Sequence, residues 1–486
     1  MILTPEVSWL AILPDLVLAL GAAAVLLVEV QWHPVTRVLA WVAGGSIAIA
    51  AGITVLQWLA ASDAVAAGDL GSLTAFSGMI LMDGFAIFGR LALLATTALG
   101  VAAGWQFFKD LGRRGAEGLA LVLLATTGFS IMVASNNLVM LFLGLEVGSI
   151  ALYVLAGLTR EDRKADEAAI KYFLMGSFAS AIFIYGVALM YAGTRQLTIL
   201  GLGDFLSGFI VSSPGVILIG IGLIVVGLGF KVSAAPFHTW APDVYQGAPA
   251  GIVGYMAGVA KIAGFAAISR ILLTAVDDFE ASFLPAIAGI AVLSMLLGSV
   301  LALVQSDVRR MLAYSGVAHA GFIMTGVVGT STDGILFYLL AYAIQLVGAF
   351  AVVAAVSGSS GSGSALSEYR GLSRRSPVLA GSLTVLLLGM AGLPLTSGFV
   401  AKFGVFADAW FNGYEWLVIV AVLASVIAFA FYLRIIVIMY MEDDESALIE
   451  VPGVVRLVLG IAVVATLVWG IIPSSLLDVV ADALPL

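Results

Sequence analysis

The chain has 486 residues, of which 62% are hydrophobic and only 10% charged. A water-soluble domain is nearer half apolar and a quarter charged, so a soluble globular fold is excluded and lipid must cover much of the surface. A net charge of -9 argues against a nucleic-acid partner, and the lack of cysteine excludes disulfides, thiol nucleophiles and Cys-ligated metal centres.

A membrane-spanning helix needs about 20 apolar residues. Apolar runs between charge or turn clusters predict fourteen spans, at 8–30, 35–60, 79–104, 117–134, 137–158, 167–192, 214–236, 251–272, 284–304, 311–328, 334–356, 377–393 continuing to 411, 415–440 and 452–472. The first run is long enough to span and has no basic segment before it, so it reads as a span and not as a cleavable signal peptide. Gly and Ala inside the runs suit close helix packing in lipid. Ser357 to Ser364 (SGSSGSGS) reads as a flexible linker, and Glu442 to Glu445 (EDDE) as a solvated loop end.

Alternating the loops between two sides puts 15 of the 21 Lys+Arg on one side. They are Arg37, Lys109, Arg113, Arg114, Arg160, Arg163, Lys164, Lys171, Arg309, Arg310, Arg370, Arg374, Arg375, Arg434 and Arg456. The other side carries Arg195 and Arg270. By the positive-inside rule the first side is cytoplasmic, which places both termini outside.

A charge at the bilayer centre costs about 2.5–3.5 kcal/mol on insertion scales, so such residues are rarely kept for packing alone. Glu146, Lys231, Lys261 and Lys402 fall near the middle of spans. Lys231 precedes Pro236 by five residues, and Lys402 follows Pro394 by eight. A proline within a span frees carbonyls and kinks or breaks the helix, and broken helices at membrane depth are what ion carriers use to expose polar groups. Desolvation favours the neutral form of a lysine and a nearby carboxylate the charged form, so a proton moves when the partner moves. The competing reading is a static Glu146–Lys231 ion pair that only orients helices. His238, after Pro236, and His319 are candidates for passing protons between lysines. The alternative for each is a helix-end histidine bonded to backbone. Arg90 reads as a buried structural cation or a lipid contact. Asp243 and Tyr245 read as a cap on the cytoplasmic mouth or a simple turn.

Three stretches carry a resemblance over residues 75 to 440. They are FLGLEVGSIALYVLAGL around Glu146, GFKVSAAPFHTWAPDVYQGAPA after Lys231, and QSDVRRMLAYSGVAHAGFIMTG with His319. The chain resembles the antiporter-like membrane subunits of proton-pumping NADH:quinone oxidoreductase, respiratory complex I. DVYQGAP is the N-type form, and the reading as N-type expects no lateral helix of the L-type kind after the last span. The resemblance implies an all-α membrane fold of about 14 helices with two inverted five-helix repeats and interrupted helices 7 and 12. It implies a three-helix segment at 1–110, repeats at 111–275 and 276–441, and a last helix in 442–486. It also implies that Glu146 pairs with Lys231, that Lys261 is the central lysine, and that Lys402 leads toward the far exit or the neighbouring subunit. The proton path would then run through Glu146, Lys231, Lys261 and Lys402.

The same resemblance places NADH, FMN, iron–sulfur clusters and quinone in other subunits, with no cofactor and no metal in this chain. It implies as partners other membrane subunits, including adjacent antiporter-like ones, within the bacterial inner membrane. The runner-up reading is an Mrp-type cation/proton antiporter subunit, which shares these helices and lysines. A structural scaffold whose buried charges only lock helix packing is the third.

Overall fold

The computed structural model describes residues 8–159, 163–208, 214–276, 279–360, 363–444 and 447–483. Arg160, Glu445 and the middle of the SGSSGSGS segment lie outside the described residues, as do both ends of the chain.

Among the described residues, thirteen helices are long and apolar enough to cross a membrane. These are α1 (Trp9–Trp32), α2 (Thr36–Ala67), α3 (Gly84–Ala103), α4 (Gly115–Ala134), α5 (Leu138–Ala156), α6 (Arg163–Thr194), α7 (Pro214–Lys231), α8 (Ala250–Arg270), α9 (Glu280–Leu303), α10 (Val308–Val328) and α11 (Thr332–Ser360), then α13 (Glu415–Met441) and α14 (Gly453–Ile471). Between α11 and α13, a further crossing, α12, is made of two pieces, Pro377–Ala391 and Ser397–Phe411. The chain is an integral multi-pass membrane protein; thirteen of the fourteen expected spans appear among the described residues as continuous helices, and the other as these two pieces.

Backbone polar groups cannot be left bare in hydrocarbon, which is why the crossings are helical. In the sequence of each outer helix, apolar residues fill every face, because lipid and protein interior are equally apolar solvents. Trp41, Phe178 and Leu423 thus remain on the outside of the bundle. Three helices are almost wholly enclosed: α8, α10 and α11. They form the core against which the interrupted helices pack.

Both interruptions turn on a non-glycine residue in the left-handed region, Ser233 (φ 61°) after α7 and Leu395 (φ 71°) within α12. Non-glycine residues seldom adopt that conformation unless surrounding structure holds them there, and such positions concentrate at functional sites. After the first break comes a short helix, Trp240–Gly247.

Several elements differ from the sequence reading. α11 runs through Ser360, so the first half of the expected linker is helical. Its start, SGSS, adds only about one turn to a long helix that is already formed. Two short helices, Ile199–Gly208 and Ser474–Ala481, and a small hairpin pairing Thr74–Ala75 with Ile80–Leu81 were too short to stand out by hydropathy.

Candidate functional site

Pro236 has no N–H, so it cannot bond the carbonyl of Val232, four residues earlier. Lys261 from α8 supplies the missing donor: its Nζ lies 2.7 Å from Val232 O. A second bond, 2.9 Å long, runs from Nζ to Gly316 O on α10. Other groups of the break are also satisfied. Phe230 O accepts from the Trp240 indole at 3.1 Å, and Ala235 N donates to Ser294 Oγ at 2.8 Å. The Ala235–Pro236 peptide is cis.

The break in α12 has a similar occupant. The first piece ends in carbonyls with no helical partner. Lys402, one turn into the second piece, donates to Ala391 O at 2.9 Å and reaches Ser425 Oγ of α13 at 3.4 Å. Its Nζ lies 4.5 Å from the centre of the Phe322 ring. A cation at the carbonyl end of a helix is electrostatically favourable. Lys261 and Lys402 therefore play matching parts at the two breaks, although they sit at different distances from the prolines. A largely apolar cleft of about 620 Å³, lined by Phe399, Phe403, Trp410 and Val422, opens beside Lys402.

Lys231 ends α7 and is 2% exposed. Its Nζ donates to Ser149 Oγ of α5 at 2.8 Å. It lies 4.8 Å from the Phe129 ring centre, 5.6 Å from Tyr172 and 5.9 Å from Tyr153. Aromatic faces attract a cation, so three rings and one hydroxyl hold this charge.

Glu146 lies on the fifth crossing, α5, as the resemblance implies, but the direct contact with Lys231 is absent among the described residues. Ser149, three residues further along α5, is the hydrogen-bond partner of Lys231. The Glu146 carboxylate accepts a hydrogen bond from Ser180 of α6. It is half-buried, on the stripe of α5 that exposes Leu143, Val147 and Ile150. The reason is helical spacing: positions three before and four after Glu146 share its outer face.

His319 lies in the middle of α10, with its ring nitrogens bonded to tyrosines and not to backbone. Nδ1 is 2.8 Å from Tyr338 OH and Nε2 3.2 Å from Tyr432 OH. Both Lys261 and Lys402 lie within electrostatic reach of the ring. His238 stands apart. It is buried in the first break, edge-on to Tyr314, and makes no hydrogen bond to any of the lysines.

Among the described residues, no carboxylate comes within 4.0 Å of Lys231, Lys261 or Lys402. All three charges are met by neutral oxygens and aromatic faces. A fixed ion pair would pin a lysine's charge; neutral partners leave it responsive to the next charge that approaches.

Two further buried pairs were not anticipated. Arg90, fully buried, binds Asp15 Oδ2 at 2.7 Å, Gln57 at 3.2 Å and Ala11 O at 3.0 Å. This settles Arg90 as a buried cation and not a lipid contact. Arg270 was assigned to a loop by alternation. It is instead the buried last residue of α8, bidentate to Asp83 at 2.7 and 2.8 Å, with Phe85 beneath its guanidinium. An acidic residue inside an apolar run was the available signal for Asp15. Asp83, which falls inside the expected span 79–104, is the N-cap of α3.

At the basic end, Asp243 accepts from Lys171 of α6 and Arg310 of α10, each at 2.7 Å. It ties the short helix after the first break to two spans, more than a simple turn. Partial burial opposes its ionisation, but the hydrogen bonds and charges of Lys171 and Arg310 outweigh this and hold its carboxyl below the usual range. Tyr245 is buried and packs edge-on against Trp240 and Phe350.

Residues 135–428 match the family model described as NADH:quinone oxidoreductase/Mrp antiporter, TM. The chain is 39% identical to the NADH-quinone oxidoreductase subunit N of Salinispora arenicola, over 99% of this chain and 98% of that one. It is 36% identical to the subunit N of Trichlorobacter lovleyi, over 98% and 96%. In structure it is similar to a chain of respiratory complex I from Thermus thermophilus, with 30% identity, a TM-score of 0.81, and coverage of 96% of this chain and 99% of that one. A chain of the Mrp complex from Dietzia sp. shares the fold, with a TM-score of 0.83 at 21% identity, covering 97% of each.

Proposed function

Because the chain belongs to the NADH:quinone oxidoreductase/Mrp antiporter family, with full-length likeness to its N subunits, we propose that it translocates protons through Lys231, Lys261 and Lys402. Glu146 and His319 are its auxiliary groups. It is a subunit of NADH-quinone oxidoreductase and works among other membrane subunits of that complex. NADH oxidation and quinone reduction belong to other subunits, which hold the FMN, iron–sulfur clusters and quinone. Full-length likeness to the N subunits favours this reading over an Mrp-type antiporter, whose likeness carries the fold alone.

One observation carries the mechanism: three enclosed lysines, two of them closing the breaks of interrupted helices, each held by neutral groups. An arriving positive charge favours proton release from such a lysine, and a departing one favours uptake. Quinone chemistry elsewhere in the complex starts the change, and the breaks let a lysine trade one oxygen for another with small movements. Glu146, on the outer stripe of α5, suits contact with a neighbouring membrane subunit.

The repeats at 111–275 and 276–441 belong to the same reading. The order of three unbroken crossings, one broken and one unbroken in each supports them. The positive-inside rule adds to the same reading an orientation in the bacterial inner membrane with the basic end inward and both termini on the periplasmic side.

The experiment is Lys231→Ala or Lys261→Ala in the assembled enzyme, with protons moved per electron as the readout. A lowered ratio is expected. An unchanged ratio in both variants overturns the proposal.

A further inference from the structure

Between Lys261 and His319 lies a group of buried hydroxyls that the row of lysines does not include. Ser315 of α10 is fully buried, and its hydroxyl is hydrogen-bonded to Tyr432 OH of α13. Tyr432 OH continues to His319 Nε2 at 3.2 Å, and Tyr338 OH of α11 meets the other ring nitrogen at 2.8 Å. Tyr342, one turn beyond Tyr338, stacks on the imidazole with ring centres 4.2 Å apart. Its hydroxyl is buried with no hydrogen-bond partner among the described residues. A buried polar atom left unpaired is rare enough to need a reason.

The reason is its position beside Lys261. Gly316 has no side chain, and the point where its Cβ would stand lies 3.4 Å from Tyr342 OH and 3.9 Å from Lys261 Nζ. The two polar groups share that hollow, and Ser315, the preceding residue, stands close to the same hydroxyl. Tyr342 OH thus lies near both Lys261 and the hydrogen-bonded run Ser315–Tyr432–His319.

We propose that Tyr342, Ser315 and Tyr432 form a side-chain wire that carries a proton between Lys261 and His319, with Tyr338 holding the far ring nitrogen. This rests on the lysine-based translocation proposed above. Each hydroxyl is donor and acceptor at once. Lys261 ammonium gives a proton to the Tyr342 oxygen as Tyr342 gives its own to Ser315, Ser315 to Tyr432, and Tyr432 to Nε2 of His319. The lysine ends neutral, the imidazole ends as imidazolium, and every hydroxyl ends with one proton, turned round. Tyr338 and Tyr432 are positioning residues as well, since together they fix the plane of the ring.

The test uses the assembled NADH-quinone oxidoreductase in proteoliposomes, carrying Tyr432→Phe, Ser315→Ala, Ser315→Thr or Lys261→Ala, with proton movement measured in H2O and D2O. Loss of a positioned relay group slows proton transfer roughly 10²-fold, so Tyr432→Phe and Ser315→Ala are expected to lower the protons moved per electron. Ser315→Thr keeps a hydroxyl and is expected to restore the ratio and the wild-type isotope effect. Normal pumping in Tyr432→Phe beside failed pumping in Lys261→Ala overturns the wire alone. Normal pumping in both overturns the translocation reading itself. Equal loss in Ser315→Ala and Ser315→Thr assigns the site to packing and also overturns the wire. Where Tyr432→Phe does not assemble, the Ser315 pair decides.

Discussion

Lys261 Nζ donates to the carbonyl oxygen of Val232 at 2.7 Å, the oxygen that Pro236 leaves without a helical partner. The break in α7 and the charge on α8 are therefore parts of one device. A charged donor makes a hydrogen bond roughly twice as strong as a neutral one, so the hold on the break changes when the lysine gives up its proton.

That coupling predicts a sharp difference between charge and titration at position 261. Arginine keeps its proton in proteins. Lys261→Arg is expected to assemble with a cation at the break, yet to fail in proton pumping. The check is protons per electron in proteoliposomes, and a wild-type ratio would show that proton release at this position is not used.

Ser149 is the hydrogen-bond partner of Lys231. A hydrogen bond to a charged group contributes about 1.5–3 kcal/mol. Ser149→Ala is expected to slow the step that depends on Lys231 by roughly ten-fold or more, since 1.4 kcal/mol is a factor of ten. Ser149→Thr is expected to stay near wild type. Initial rates of proton movement in the two variants decide the matter.

Asp15 and Arg90 bind α1 to α3 in the membrane interior, with Ser130 of α4 and Gln57 of α2 completing the cluster. Removing one partner of a buried pair leaves an uncompensated charge and costs about 3–5 kcal/mol. Arg90→Leu is expected to lower the thermal unfolding temperature of the purified complex or block assembly. Asp15→Leu combined with Arg90→Leu is expected to recover much of that loss, and additive losses would refute the pairing.

Gly392 ends the first piece of α12 at φ 86°, where a side chain is strained by roughly 1–2 kcal/mol. A Cβ there would also stand 2.9 Å from Lys402 Cδ. Gly392→Ala is expected to lower stability slightly and to disturb pumping more, because the lysine must move. Equal, small effects on both readouts would separate the break from the lysine.

Asp243 supplies a pH dependence at the basic end. Its carboxyl is held below the usual range in the folded protein, despite the opposing effect of burial. Its contribution to stability is therefore complete above the unfolded value, about 3.9, and is lost as pH falls through the lower folded value. Thermal stability is expected to drop more steeply with acid in the wild type than in Asp243→Asn. Parallel curves below about pH 4 would argue against the clamp.

Much of this was legible in the residues. An apolar run registers in the sequence whatever it packs against, so thirteen long apolar helices and the interrupted α12 were readable within several residues. The cost of charge in hydrocarbon singled out Lys231, Lys261 and Lys402, and the structure encloses all three. Partners were not legible. Glu146 read as the natural mate of Lys231, whereas the lysine reaches Ser149, which lies on the adjoining buried side of α5. Alternation placed Arg270 in a loop, since its mate Asp83 lies far away in sequence. The tyrosines around His319 carried no signal, because an aromatic residue inside an apolar helix looks like packing.

The sequence by itself determined that this chain lives in lipid, how often it crosses, and which side chains pay an electrostatic penalty there. Those properties depend on composition along the chain, which hydration energy reads one residue at a time. Only the tertiary structure decided what each buried charge touches. Carbonyls freed by Pro236, the hollow at Gly316 and the rings around Lys231 come from segments tens of residues apart, and their juxtaposition is fixed by helix packing rather than by any local pattern.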